Sequence, residues 1–178
     1  IIQDITWAAI LKDYGPGVDK TIPKPPGYDS TLYFCSCTDA PCPDKPWNGD
    51  KMKMLNYGKL PRSPGAKYDK YMLNWPPHGN DIYLNVAEGS SEQRAASYER
   101  AKLHTLGFIY FMQTELGMKN IGLADDELNG GLALIPYNRE GRRVRGVVRM
   151  NINHIKNPYD YTLYRTGISV GDYPVDHH

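Results

Sequence analysis

Residues 90–117 read SSEQRAASYERAKLHTLGFIYFMQTELG, which is the clearest helix signal in the sequence. Ser90 is followed three residues later by Gln93, which is the spacing of a capping box at the start of a helix. The stretch contains no proline, and it closes on Gly117, a residue type that commonly ends helices. We therefore predict one long helix from about Ser91 to Leu116. Its apolar residues recur at steps of three and four, which predicts a core-facing stripe made of Leu103, Leu106, Ile109, Met112 and Leu116.

Short stretches on both sides of this helix are typical of strands. Residues 71–75 and 81–86 predict two strands separated by a PPHGN bend. Residues 5–11 fit a buried strand or a short helix, and residues 31–36, TLYFCS, fit a short strand. Residues 143–153 alternate with a period of two, which predicts a strand whose buried face is formed by Val144, Val148, Met150 and Ile152. We expect an α+β fold with a mixed or antiparallel sheet, one long helix and extensive ordered loops.

The composition limits the kinds of partner. Lys and Arg number 21 against 20 Asp and Glu, so the net charge of +1 exerts no general attraction on nucleic acid or an acidic membrane. No stretch approaches the roughly 20 apolar residues that cross a bilayer, and we expect a soluble chain with no membrane and no nucleic-acid partner. The 178 residues fit a single domain, and 14 Pro and 17 Gly predict long loops. The compartment is left open, with a periplasmic or secreted location as the hypothesis.

Three cysteines, Cys35, Cys37 and Cys42, have a spacing similar to that of a metal knuckle. A closed zinc site needs four ligands, and the histidine nearest in sequence is His78, so we expect no zinc here. Two alternatives stay open: a disulfide, with Cys35 paired to Cys42 in an oxidising compartment, or three free thiols.

The stretch LNWPPHGND, residues 73–81, is the strongest candidate for a ligand site. It places a tryptophan ring, a histidine and two amides around a tight bend, where they offer a stacking surface and hydrogen bonds. Arg139 suits a carboxylate, a phosphate or a developing anion, although Glu140 could instead pair with a neighbouring arginine. The long helix carries polar residues that could line a pocket, but a role at the edge of the core is the favoured interpretation for Tyr98, His104, Tyr110 and Gln113.

The chain ends on Asp176, His177 and His178. Taken alone, two terminal histidines are typical of a purification-tag remnant. Together with His154, these residues have ligand types that suit metal-dependent hydrolysis. The HExxH-like spacing is absent, and we therefore expect no metal.

Six stretches occur in this chain in a characteristic order and spacing. They are LKDYGPGVDKTIPKPPGYD, YMLNWPPHGNDIYLN, FIYFMQTELG, GLADDE, IPYNREGRRVRG and GISVGDYPVDHH. Together they cover most of the chain, and the set resembles a group of bacterial FAD-dependent oxidoreductases. The resemblance implies an enzyme of two parts, in which a Rossmann-like FAD-binding part carries a GxGxxG motif that holds the pyrophosphate.

No GxGxxG occurs in this sequence, and the first residue is Ile1 rather than Met. The chain therefore resembles the middle, substrate-side region of such an enzyme, and we expect a fragment of a longer flavoenzyme. Residues 1–12 are expected to be the last strand of the FAD-binding part, and residues 13–178 the substrate-side domain. The main FAD-binding contacts would lie in the remainder of the polypeptide, so the chain alone is expected to be inactive.

The resemblance also implies which residues surround the flavin and a small-molecule substrate. Flavin-dependent oxidation needs a base for a hydroxyl or amine proton, and His177 or His78 is implied for this role. It also needs a positive group near the flavin ring, and Arg139 or Arg142 is implied there. Further contacts to substrate or cofactor are implied for Asn74, Trp75, Asn80, Asp176 and His178. In this context the two terminal histidines look native.

Two departures from the family pattern affect local geometry. Gly141 stands where the family run usually has Ser, which removes a hydroxyl. Leu128 followed by NGG replaces a Phe and a Thr-Pro-Asp turn. Neither departure touches the stretches that carry His78 and His177.

One alternative function belongs to a different class. A non-catalytic carbohydrate-binding module would need aromatic rings on loops as stacking surfaces. The tyrosines could supply such rings together with Trp7, Trp47 and Trp75.

Overall fold

The computed structural model describes residues 2–36, 50–75, 78–139, 141, 145–146, 149–157 and 159–160. In chain order their elements are β1 Ile5–Thr6, β2 Ala9–Asp13, a 3₁₀ helix Ser30–Tyr33, α1 Lys53–Tyr57, β3 Lys70–Leu73, β4 Asp81–Ile82, α2 Ser91–Thr114, β5 Ile121–Leu123, β6 Tyr137–Asn138 and α3 Ile152–Lys156. The combination of helices with antiparallel sheets confirms the predicted α+β class.

The predicted long helix is confirmed as α2. The Ser90 hydroxyl accepts a hydrogen bond from the Gln93 backbone N–H, and the Gln93 side chain accepts one from the Ser90 N–H at 2.8 Å. This is the expected capping box. The helix ends at Thr114, slightly before the predicted end, and Gly117 with a φ of 73° turns the chain away. Neither α2 nor any other helix in the described ranges is long and apolar enough to cross a membrane.

The buried face of α2 differs in part from the predicted stripe. Leu103 and Leu106 are only half-buried. The centre of the core is formed by Phe108 and Phe111, which are fully buried, and the ring of Tyr33 lies 5.5 Å from that of Phe108. The C-terminal half of the helix is therefore enclosed on several sides, which a one-sided stripe does not predict. The stripe prediction is confirmed for Ile109, Met112 and Leu116.

Strands β1 and β2 are the central strands of two separate antiparallel sheets. β1 lies between β4 and β6, and β2 lies between β3 and β5. Leu11 of β2 pairs with Tyr71 on one side and with Leu123 on the other. Residues 5–11 are thus strands and not a helix. The two strands predicted on either side of the PPHGN bend both exist, although each is short and they belong to different sheets.

The strand predicted for residues 31–36 is wrong. The structure has a 3₁₀ helix here, and Asp29 caps it. The Asp29 carboxylate accepts hydrogen bonds from the Thr31 N–H at 2.9 Å and from the Thr31 hydroxyl at 2.7 Å. A capping aspartate offers the backbone a local alternative to strand pairing, and here it overrides the β propensity of TLYFCS.

The alternating strand predicted for residues 143–153 is wrong where the structure describes it. The Asn151 side chain accepts a hydrogen bond from the Asn153 N–H at 3.0 Å and begins helix α3. Met150 and Ile152, which were predicted to be buried, are 66% and 51% exposed. The remaining members of the predicted buried face lie outside the described residues, namely Val144 and Val148.

The proline-rich loop of residues 15–28 is held by α2. Gln113 is fully buried, and its Oε1 accepts a hydrogen bond from the Ile22 N–H at 2.9 Å. Its Nε2 donates to the carbonyls of Lys20 and Ile121 at 2.8 and 2.7 Å. Gln113 therefore has the structural role that its sequence context favours.

Cys35 is buried and disulfide-bonded. The structure thus supports the disulfide among the alternatives for the three cysteines. The bonding partner lies outside the described residues, as do Cys37 and Cys42, and the pairing with Cys42 stays a prediction. A sulfur in a disulfide is not a thiolate, so Cys35 is no zinc ligand in this state.

Candidate functional site

The loop between β3 and β4 is organised by Asn80, which is fully buried. Its Oδ1 accepts a hydrogen bond from the Trp75 N–H at 2.8 Å. Its Nδ2 donates to the Leu73 carbonyl at 3.1 Å and lies 3.4 Å from the Trp7 carbonyl. One side chain therefore satisfies backbone groups on both sides of the bend and on the N-terminal segment. We expect Asn80 to act on a ligand through the shape of the loop.

Trp75 is also directed into the protein. The residue is 8% exposed, its indole N–H donates to the Ser36 carbonyl at 2.7 Å, and its ring meets that of Tyr57 edge-on. Trp7 is half-buried, and its indole N–H donates to the Ala133 carbonyl at 2.9 Å. Neither tryptophan presents the open stacking surface that a carbohydrate-binding module needs, and Trp47 lies outside the described residues. The binding-module alternative therefore finds no support in the described tryptophans.

His78 lies at the tip of this loop and is exposed. Its φ of 53° is a left-handed conformation that few residues other than glycine adopt. Gly79 follows it, and any Cβ at that position would collide with the Trp75 carbonyl. The tight backbone therefore turns the imidazole toward solvent. The Oδ1 of Asn74 in the same loop is buried and has no hydrogen-bond partner among the residues that the structure describes.

Asp81, directly after this loop, forms a buried ion pair with Arg139. The Arg139 Nη2 lies 3.0 Å from the Asp81 Oδ2, and the two side chains are 9% and 1% exposed. The Thr6 hydroxyl donates a hydrogen bond to the other oxygen of Asp81. These contacts join β1 and β4 to the end of β6. The Nε of Arg139 is buried and has no hydrogen-bond partner among the described residues, so this donor of the guanidinium is left unsatisfied there.

His104 of α2 lies against the same loop and interacts with its backbone at Gly79 and Asp81. The Tyr33 hydroxyl donates to the His104 carbonyl at 2.9 Å and lies 3.2 Å from the imidazole Nδ1. Burial is the main influence on His104 and lowers its pKa, while hydrogen bonding to the backbone of Gly79 and Asp81 opposes the shift. A neutral imidazole in this position is consistent with the structural role expected for His104.

An open cleft of about 370 Å³ adjoins the ion pair. Two arginines line it, Arg139 and Arg94, and Arg94 belongs to the first turns of α2. The other described lining residues are Ile2, Gln3, Ile5, Val86, Ala87, Tyr98, Asn138 and Gly141. Gly141 stands where the family pattern usually has Ser. A Cβ at this position would approach the Cβ of Ala87 to 3.2 Å. The glycine thus leaves room at the edge of the cleft.

Two further clefts, of about 480 and 470 Å³, share Arg62, Lys67 and Tyr68. Charged side chains in and beside these clefts form ion pairs with one another. Lys59 and Arg62 both pair with Asp69, and the hydrogen bonds from these two cations hold the pKa of the Asp69 carboxyl below its usual value. The cleft beside Arg139 is the stronger candidate because two arginines line it and its described lining residues include no carboxylate.

The predicted site residues fall into three groups. Arg139 reaches the loop through Asp81, and His78 is exposed on that loop. The side chains of Trp75 and Asn80 are directed inward. The predicted residues that lie outside the described ranges are Arg142, Asp176, His177 and His178. Asp81 and Arg94 had no predicted role, although a carboxylate at the start of an apolar strand is a signal for a buried partner.

Fold and site together define an α+β protein with a buried, paired arginine beside an open and partly apolar cleft, an arrangement that suits a small polar or anionic ligand. A family model described as FAD dependent oxidoreductase matches residues 15–178. The chain belongs to this family of FAD-dependent oxidoreductases, which confirms the resemblance read from its sequence. No curated protein and no solved structure matches the chain significantly.

The described residues fit only part of what FAD requires. A dinucleotide pyrophosphate is commonly held by a glycine-rich turn at a helix N-terminus, and this sequence has no GxGxxG. The N-terminus of α2 is capped by its own Ser90 and Gln93 side chains. By contrast, the buried Arg139 with its unpartnered Nε fits a polar or anionic group. Among the described residues, no three metal-ligating side chains come together.

Proposed function

We propose that this chain contributes the substrate-side wall of the flavin site in an FAD-dependent oxidoreductase, with Arg139 as the positive group near the flavin. The observation that carries the proposal is the buried Asp81–Arg139 pair, in which the Arg139 Nε has no partner within the part of the chain that the structure describes. FAD, when bound, supplies the electron-accepting chemistry. The contribution of this chain is to hold charge, to shape the pocket and to move protons.

Burial gives Arg139 its proposed electrostatic role. A charge in a site of low dielectric acts more strongly than one in water, and a fixed charge needs no reorganisation when the reaction occurs. Asp81 and Thr6 hold the guanidinium in place from one side. The arginine is therefore preorganised, and it would present a fixed positive charge to the flavin site.

His78 is the proposed base within the described residues. It is exposed at the tip of the β3–β4 loop, where it could accept a proton from a hydroxyl or an amine of the substrate. His177 is the alternative base and Arg142 the alternative positive group. Contacts to substrate or cofactor stay proposed for Asn74, Trp75, Asn80, Asp176 and His178.

The wider organisation of the enzyme is also part of the proposal. Residues 13–178 are proposed as the substrate-side domain, and the main FAD contacts would lie in the remainder of a bacterial polypeptide, without which the chain is inactive. Residues 1–12 are assigned to the FAD-binding part. However, β1 and β2 pair on both sides with strands of this chain, which argues for extending the substrate-side unit to residue 5. The substrate is a small molecule. The Cys35 disulfide favours a periplasmic or secreted location.

The role of Arg139 is tested by the reduction potential of the flavin in the full-length, FAD-loaded protein. Asp81→Asn combined with Arg139→Gln removes the positive group without leaving a buried charge unpaired. We expect the double variant to have a lower flavin potential than the wild type, because the anionic reduced ring loses its stabilising cation. Arg100→Gln, an exposed change on α2, serves as the matched control. A potential unchanged in the double variant would refute the role of Arg139.

A further inference from the structure

We propose that the cleft of about 370 Å³ binds a small organic monocarboxylate between Arg94 and Arg139. This inference goes beyond the proposed flavin role and does not depend on it, because the ligand contacts only residues of this chain. Three observations carry it: the two arginine side chains in the lining, the local charge and the apolar walls.

Arg139 is the buried arginine of the site, and its guanidinium is held in place by neighbouring side chains. Its side chain is 9% exposed, and Asp81 and the Tyr137 ring hold the guanidinium from two directions, with the ring centroid 5.4 Å away. Within the described ranges the Nε has no hydrogen-bond partner, but it is closed to solvent, so a ligand in the cleft would meet the rest of this side chain. Guanidinium groups commonly bind carboxylates through two parallel N–H donors.

Arg94 places a second guanidinium in the lining. Its Nη1 donates to the Gly89 carbonyl at 2.6 Å, and its Nη2 lies 3.5 Å from the Ser91 hydroxyl. These contacts hold the side chain beside the N-terminus of α2, where the helix dipole also favours an anion. Within the described part of the chain, Arg94 has no carboxylate partner.

The charge count favours a monoanion. Counting the described lining residues and the partner of Arg139, Arg94 and Arg139 contribute two positive charges and Asp81 one negative charge, which leaves +1. The described lining residues include no carboxylate that would repel an anion. A single carboxylate would neutralise the site, whereas a dianion such as phosphate would leave excess negative charge in a partly buried position.

The remaining walls favour a ligand with an apolar body. Val86, Ala87 and Tyr98 are half-buried lining residues, and Ile5 lies beneath them. The volume of the cleft falls at the small end of the range for ligand pockets. Polar groups at one end and apolar surface along the wall suit a compact aromatic or branched aliphatic carboxylate.

Calorimetric titration of the full-length protein, with or without bound flavin, tests the proposal. The probes are benzoate, its neutral isostere benzamide, and inorganic phosphate. We expect benzoate to bind, and benzamide and phosphate to bind at least about tenfold more weakly, since a hydrogen bond to a charged group contributes about 1.5–3 kcal/mol. Arg94→Gln should weaken benzoate binding by about ten- to a hundredfold. Arg100→Gln, on the same helix but outside the cleft lining, should leave it unchanged.

Several outcomes would overturn the assignment. Equal binding of benzamide would show that the negative charge is irrelevant, and tighter binding of phosphate would reject a carboxylate site. Benzoate binding that survives Arg94→Gln, or no benzoate binding at all, would reject this cleft. A flavin potential that does not respond to Arg139 would leave these results untouched, so the two proposals fail separately. Thermal unfolding of each variant confirms that it is folded.

Discussion

Replacing Asp81 with alanine is expected to lower the free energy of unfolding by about 3–5 kcal/mol, because it leaves the buried Arg139 guanidinium without its counterion. The Thr6 hydroxyl loses its acceptor in the same change. Urea unfolding followed by tryptophan fluorescence measures the loss. The matched control is Asp69→Ala, which breaks two ion pairs with half-exposed cations and should cost clearly less.

A second substitution separates the contribution of the Asp81–Arg139 ion pair from that of the other contacts of Asp81. Adding Arg139→Met to Asp81→Ala removes the uncompensated charge and should recover part of the lost stability, since replacement of a whole buried pair is often tolerated. If the double variant is as unstable as the sum of the two single variants, the pair does not stabilise the fold as described.

Asn80→Ala is expected to destabilise the protein by about 3 kcal/mol, because buried backbone groups of Trp75 and Leu73 lose their hydrogen-bond partner. The effect should be concentrated in the β3–β4 loop. Hydrogen exchange would therefore show faster exchange of the Trp75 amide. The amides in the core of α2 should exchange only as much faster as the lower free energy of global unfolding requires.

The control for this change is Asn85→Ala. Asn85 is exposed, and its side chain bonds only to Glu88 among the described residues. We expect its loss to be close to neutral. If Asn80→Ala is as stable as Asn85→Ala, or if the exchange rate of the Trp75 amide is unchanged, Asn80 does not organise the β3–β4 loop as described.

Local signals explain what could be predicted from the sequence. The capping box at Ser90 and Gln93 is an interaction between neighbours in the chain, so its pattern predicted the start of α2 correctly. The PPHGN bend likewise required only local geometry. The same reliance on local patterns failed at the end of the range 143–153, where alternation of apolar and polar residues suggested a strand and Asn151 instead begins a helix.

The candidate site depends on contacts that no local pattern contains. Asp81 and Arg139 are 58 residues apart, and they meet because β4 and β6 both pair with β1. Trp75 has the residue type of a ligand-stacking side chain, but its indole N–H reaches Ser36, 39 residues away. Burial of this kind is decided by tertiary packing, and the sequence alone therefore could not separate the exposed His78 from its inward-facing neighbours.

The proposal that the principal FAD contacts lie outside this chain is motivated by its membership in a flavoenzyme family together with a sequence that has no GxGxxG motif. Flavin retention through gel filtration tests this claim most directly, with the full-length protein and the 178-residue chain each incubated with FAD. We predict that the full-length protein keeps the visible absorption of flavin and releases the cofactor on heating, whereas the 178-residue chain loses it on the column. A colourless full-length protein, or a 178-residue chain that retains FAD in equal amount, would contradict the account.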